Sequence, residues 1–127
     1  MYEYRAICTN IVDGDTYDLT IDCGFHITTH QRIRLLGVDT PELRSRDEIE
    51  RLAAQEAKAF AQHWLIDTQL EEMSFPLKIK TEKSDSFGRW LAEIHYYDVT
   101  SDNGLDNWYS LGAELLLAGH AKVYKKK

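Results

Sequence analysis

No stretch of this chain is apolar over the roughly 20 residues that a membrane-spanning helix needs. The start, Met1-Tyr2-Glu3-Tyr4-Arg5, has neither the basic residues nor the apolar run of a secretory signal, which predicts a cytoplasmic chain or a trimmed form of an exported one. Cysteine is scarce. The two present, Cys8 and Cys23, argue against a disulfide scaffold and against a metal centre built from thiolates alone. If residues 2–12 and 16–23 pair across a turn at Asp13-Gly14, Cys8 faces about position 20 rather than Cys23. A bridge there would be strained, so both are expected to be reduced, small apolar residues. Positive charge is also short: 15 Lys and Arg against 21 Asp and Glu leave a net charge of −6. That is the wrong sign for a protein gripping nucleic acid over a broad basic face. It does not exclude an enzyme that recruits a cation to meet phosphate, and the charge is uneven. Acids gather at 47–56, 67–72 and 98–106, whereas the end is basic through Lys122, Lys125, Lys126 and Lys127. No internal repeat, low-complexity segment, Ser-His-Asp order, Walker loop or dinucleotide fingerprint occurs.

What is present describes one domain over residues 1–127: 43% apolar and 28% charged residues, enough for a single modest core. The clearest strand is 16–23, in which Tyr17, Leu19, Ile21 and Cys23 alternate with polar residues. A strand over 2–12 precedes it, and Asp13-Gly14 is a strong hairpin signal. Gly24 marks another turn, and a long strand follows over about 27–38 until Pro41 stops it. An amphipathic helix over 48–66 carries Ile49, Ala53, Ala57, Phe60 and Trp64 as one stripe. Short strands at 77–81 and 90–97 and a last helix over 108–118, ended by Gly119, complete the order. Three strands, a helix, two strands and a C-terminal helix predict a mainly β fold, a five-stranded Greek-key barrel of the OB type. Trp64, Trp90 and Trp108 fall on apolar faces and are expected in the core. His26 and His30 have no third metal ligand near them in sequence and are read as surface residues.

Three segments carry chemistry. In Val12-Asp13-Gly14-Asp15-Thr16, Asp15 continues the row of Tyr17, Leu19 and Ile21, so a carboxylate stands at the end of an apolar face. Unpaired, it is costly there, and a cation would relieve it. In Arg34-Leu35-Leu36-Gly37-Val38-Asp39-Thr40-Pro41-Glu42, the last residues suit a helix start, which leaves Arg34 unexplained. A guanidinium alternating with Leu36 and Val38 needs an anion. In Asp85-Ser86-Phe87-Gly88-Arg89-Trp90-Leu91-Ala92, a turn leads into a strand. Together the three supply two aspartates able to share one hard cation, a glutamate and two arginines. That set fits phosphodiester hydrolysis: a cation neutralises one phosphoryl oxygen and places a water. The glutamate takes or orients the water's proton, and the arginines meet charge as it builds. Without the cation the carboxylates repel phosphate.

The three segments, in this order and spacing, resemble the signature segments of the staphylococcal nuclease (thermonuclease) family, as does the later Ala118-Gly119-His120-Ala121-Lys122-Val123. The resemblance implies an OB-fold nuclease that uses calcium and cleaves DNA and RNA to leave 3′-phosphate ends. It implies Asp15 and Asp39 as calcium carboxylates and Thr40 as a backbone carbonyl ligand. It further implies Glu42 as the general base or water-orienting acid, Arg34 and Arg89 as the phosphate clamp, and Asp13 as a support of the metal turn. Only the resemblance names calcium; oxygen ligands alone fit other divalent cations. The family's type pattern has Lys-Tyr where this chain has Ser86-Phe87, so a charge and a hydroxyl are lost, although Phe87 retains a ring that can stack on a base. Tyr124 resembles a nucleotide-contacting tyrosine. DNA or RNA is the expected partner, with no membrane or protein partner implied. The alternative is a non-catalytic OB-fold module of the same family that binds nucleic acid or protein without cutting.

Overall fold

Tyr17, Leu19 and Ile21 are buried while the residues between them are not, so the alternation read at 16–23 becomes the inward face of strand β2 (Thr16–Asp22). The computed structural model describes residues 2–69, 73–82, 90–98 and 107–124. β2 pairs antiparallel with β1 (Tyr2–Asp13) on one side and β3 (Thr28–Leu35) on the other. β5 (Leu77–Glu82) pairs with β1, and β6 (Trp90–Tyr97) pairs with β5. A parallel seam between residues 33–35 of β3 and 90–92 of β6 then closes five strands into a barrel. Closure removes the open edges of β3 and β6 over those three residues. The element order is the OB-type arrangement that the sequence predicts, with helix α1 (Glu48–Gln62) between the third and fourth barrel strands. No helix among the described residues is long and apolar enough to cross a membrane.

The core joins Leu19, Ile21, Ile33, Leu35, Ile79 and Ile94 inside the barrel. α1 packs on β1 and continues into a π-helical turn (His63–Asp67), so its extent matches the expected 48–66. Its buried row is Ala54, Ala57, Ala61 and Leu65, one residue round from the predicted stripe, and Ile49 is 79% exposed. Small alanines let the helix approach the barrel closely, and the larger Phe60 and Trp64 flank that seam half-buried. Trp64 stacks on Tyr96 with ring centroids 4.9 Å apart. Trp90 corrects another expectation: it is 47% exposed, because, although it heads the row of Ala92, Ile94 and Tyr96, it stands at the first position of β6, where that row leaves the core. Cys8 is buried and Cys23 exposed, both free. A bulge after Cys8 sets it opposite Leu19, and burial pushes its thiol up to about 11.

The single strand expected over 27–38 is two. Gly37, at φ +79, breaks it; that conformation is cheap only for glycine. The chain turns away into β4 (Val38–Asp39), which pairs with β8 (Lys122–Val123). The last helix is shorter than predicted. Residues 108–110 form strand β7 (Trp108–Ser110) on the edge of β6, and α2 (Leu111–Leu117) starts where the Ser110 hydroxyl accepts the Ala113 N–H. Gly119, at φ +79, ends α2 as expected, with its N–H donating to Leu116 O and that of His120 to Leu115 O. The β2–β3 turn has Phe25 and His26 both left-handed, at φ 56 and 62. His26 and His30 are exposed, and His30 Nδ1 lies 2.7 Å from Thr20 Oγ1.

Candidate active site

Asp13 pairs with Thr16, so the β1–β2 turn is centred on Gly14-Asp15 rather than Asp13-Gly14. Neither residue is left-handed. Glycine is needed at position 14 for space: a Cβ there would lie 2.8 Å from Thr40 Oγ1 and 2.9 Å from Thr40 Cβ and Cγ2. The turn is tied from below by the buried Tyr17 hydroxyl, which donates to Gly14 O. Asp13 Oδ1 accepts the Asp15 N–H at 3.1 Å. Asp15 itself is buried. Its Oδ1 accepts from the Thr16 hydroxyl at 3.1 Å, and its Oδ2 accepts from the Thr40 N–H at 3.1 Å. The Asp15 carbonyl in turn accepts the Leu35 N–H at 2.8 Å, fastening the turn to the end of β3.

Arg34 stands beside this turn because Thr16 faces it across the β2–β3 ladder. Its side chain is 10% exposed and surrounded by acceptors. Nη1 donates to Leu35 O at 2.9 Å and Val38 O at 2.7 Å. Nη2 lies 3.3 Å from Asp39 Oδ1 and 3.5 Å from Asp15 Oδ2. The Tyr124 ring covers the guanidinium, 5.4 Å from centroid to Cζ, and the Tyr124 N–H donates to Gly37 O. The anion that the sequence requires for Arg34 is therefore a pair of carboxylates sharing one nitrogen.

Burial opposes charge on Asp15. A hydrogen bond with the Asp13 carboxyl, the Thr40 N–H and the Arg34 charge outweigh it and hold Asp15 below the ordinary carboxylate range. Asp13 moves the other way. Its burial, then the adjacent Asp15 carboxylate, push it up to about 6. The cluster thus sets one guanidinium among the carboxyl groups of Asp15 and Asp39, with Asp13 beside Asp15.

Asp39 ends β4, Thr40 follows it, and Glu42 is exposed in the next loop. Asp39, Thr40 and Glu42 line a cleft of about 340 Å³ whose other wall includes His120 and Lys122. The fold therefore gathers Asp13, Asp15, Arg34, Asp39, Thr40 and Tyr124 within one contact network, with Glu42 at the rim of the adjoining cleft. Arg89 and Phe87 lie outside the described residues. Among the described residues, no three or more His, Cys, Asp or Glu side chains gather as metal ligands. What is present is two carboxylates and the Thr40 backbone, with the Thr40 hydroxyl buried and without a hydrogen bond. An all-oxygen set of this kind suits a hard divalent cation whose remaining ligands are waters. Sequence reasoning missed Gly14 as a steric requirement, Tyr17 as the strut of the turn, and Glu50, which accepts the Glu42 N–H. Tyr17 had a legible signal: a tyrosine in a buried row needs a partner for its hydroxyl.

Comparison with known proteins adds two findings. A family model described as staphylococcal nuclease homologue matches residues 32–127. The uncharacterized protein MJ1439 of Methanocaldococcus jannaschii is 28% identical over 135 aligned residues, covering 95% of this chain and 59% of that protein. The family match begins after Asp13 and Asp15; contacts across the barrel, described above, bring those two residues to Arg34, Asp39 and Thr40 within it.

Proposed function

The chain belongs to the staphylococcal nuclease homologue family, and on that premise we propose that it is a calcium-dependent nuclease that hydrolyses phosphodiester bonds of DNA or RNA, leaving 3′-phosphate ends. The observation that carries this reading is the meeting of Asp15 and Asp39 on one nitrogen of the buried Arg34. Two acids against one base leave a site that repels phosphate until a cation joins it. Asp15, Asp39 and the Thr40 backbone are the residues that would hold calcium, and Asp13 supports them by fixing the turn through the Asp15 N–H. When bound, calcium would offset phosphoryl charge and place a water.

The rest is the work of the chain's own groups. Arg34 is presented rigidly, with two carbonyls and a tyrosine ring fixing the guanidinium plane, so its hydrogen bonds to a phosphoryl oxygen need little reorganisation. Arg89 is assigned the second grip. Trp90, which follows it, pairs with Ile33 next to Arg34. Glu42, exposed at the cleft, is assigned to orient or deprotonate the attacking water. Phe87 and Tyr124 are assigned to the nucleotide, by stacking or contact with the sugar–base unit.

Incubating the protein with single-stranded DNA and with RNA, in calcium and in chelator, tests the reading. Short fragments appearing only with calcium are expected. Retarded but uncut nucleic acid would overturn it in favour of a non-catalytic binding module.

A further inference from the structure

Glu42 reaches the cleft from a loop with no regular structure, and among the described residues its carboxylate makes no hydrogen bond. Its position is therefore set by its backbone alone. That backbone is held by a residue to which nothing above gives a task. Glu50, half-buried in the first turn of α1, accepts the Glu42 N–H on Oε1 at 3.4 Å and the Ser45 hydroxyl on Oε2 at 2.6 Å. Ser45 Oγ in turn accepts the Asp47 N–H at 3.1 Å, and the Ser45 N–H donates to Glu42 O at 3.2 Å. Asp47 caps α1 through the Ile49 N–H. One carboxylate thus gathers both ends of the loop, and it stands on a helix anchored to the barrel through buried Ala54, Ala57 and Ala61.

We propose that Glu50 is a positioning residue for Glu42, clamping the loop so that the Glu42 carboxylate stays at the cleft that both line. The inference rests on the assignment of Glu42 to the attacking water. Glu50 remains a full acceptor because the Ser45 hydroxyl, then the Glu42 N–H, hold it below its ordinary range, with a smaller contribution from Lys122.

Steady-state cleavage of single-stranded DNA in calcium by the wild type, Glu42→Ala, Glu50→Ala and the double variant tests this. A misplacement of about 1 Å costs on the order of 10²-fold in rate, so Glu50→Ala is expected to lower kcat by about 10- to 100-fold with KM within about twofold. The double variant is expected to be no slower than Glu42→Ala. Glu50→Gln, with one acceptor oxygen left, falls between Glu50→Ala and the wild type. Glu48→Ala, which removes a charge from the same helix turn outside the network, matches the wild type. Unchanged kcat in Glu50→Ala, or an equal drop with and without Glu42, overturns the proposal. Amide hydrogen exchange adds a readout that needs no turnover. The Glu42 N–H exchanges faster in Glu50→Ala if the clamp exists and at the wild-type rate if it does not. Should Glu42→Ala retain full activity, the role of Glu42 falls and the catalytic consequence of Glu50 with it, while the exchange rates still decide whether the clamp is real.

Discussion

Two arginines stand two residues apart on β3 and meet opposite environments. Arg32 is 59% exposed and paired with Asp18 at 2.8 Å on the barrel exterior, where an ion pair adds little. Arg34 is buried between Asp15 and Asp39. Arg32→Ala is expected to leave turnover and melting temperature near the wild-type values. Arg34→Ala removes the only guanidinium contacting two carboxylates in the described site, so a loss of about 3 kcal/mol in stability is expected, the low end for a broken buried pair because Asp39 is partly exposed. Turnover is expected to fall by about 10²- to 10³-fold. Denaturant titration and single-turnover kinetics read the two effects separately, and equal behaviour of the two variants would remove Arg34 from the site. The adjacent acids give a pH signature. Asp13, raised from 3.8 to about 6 in the folded chain, contributes stability that is present below about 3.8 and lost as pH rises through about 6. Asp13→Asn abolishes that loss. Melting in chelator is therefore expected to show the variant ahead of the wild type above pH 6, by about 1 kcal/mol once discounted for solvent screening, with the gap closing toward pH 4. A gap independent of pH would contradict the assigned coupling.

At the scale of elements, the Gly14-Asp15 turn and the loop after β4 interlock without room to spare. Gly14→Ala places a methyl 2.8 Å from Thr40 Oγ1 and 2.9 Å from two Thr40 carbons, closer than real contacts allow. One of the two segments must shift, at a cost of about 1–3 kcal/mol. Calcium affinity measured by titration is expected to fall with stability, because the shift separates Asp15 from Thr40; unchanged affinity would show that the turn and the loop act independently. The strands at 77–81 and 90–97 and the inward row of β2 were legible in the sequence because a two-residue period leaves only two faces. Asp15 and Arg34 stood out as charges ending or interrupting apolar rows. The face of α1 was not legible: five apolar residues suggested a stripe, but close approach to β1 selected the alanines. Nor was the Gly37 break, since a strand-like run of apolar residues hides a single left-handed glycine. Gly14 resembled an ordinary hairpin glycine, and its reason lies 26 positions along the chain, in Thr40. Glu50 stood in the sequence only as one acid of the stretch 47–56, and nothing there tied it to Glu42.

At the scale of the molecule, a net charge of −6 and the proposed clamp of Arg34 and Arg89 predict weak dependence on salt. Each phosphate contact on a single strand contributes a slope of about −0.7, so two lose about sevenfold in affinity between about 50 and 200 mM salt. Measuring kcat/KM across that range at fixed calcium checks this; a fall of several hundredfold would mean a broad basic surface and a different mode of binding. The barrel itself closes through the parallel pairing of 33–35 with 90–92, segments more than fifty residues apart. Arg34 is the middle residue of that seam. Contacts so distant in sequence are slow to form because the intervening chain must first lose its freedom. A chain still being made, or one partly opened by heat, accordingly holds Arg34 without its neighbours across the seam. On the proposed reading, cleavage capacity waits on this joint, and cleavage of a labelled oligonucleotide during refolding is expected to lag behind the appearance of strand signal.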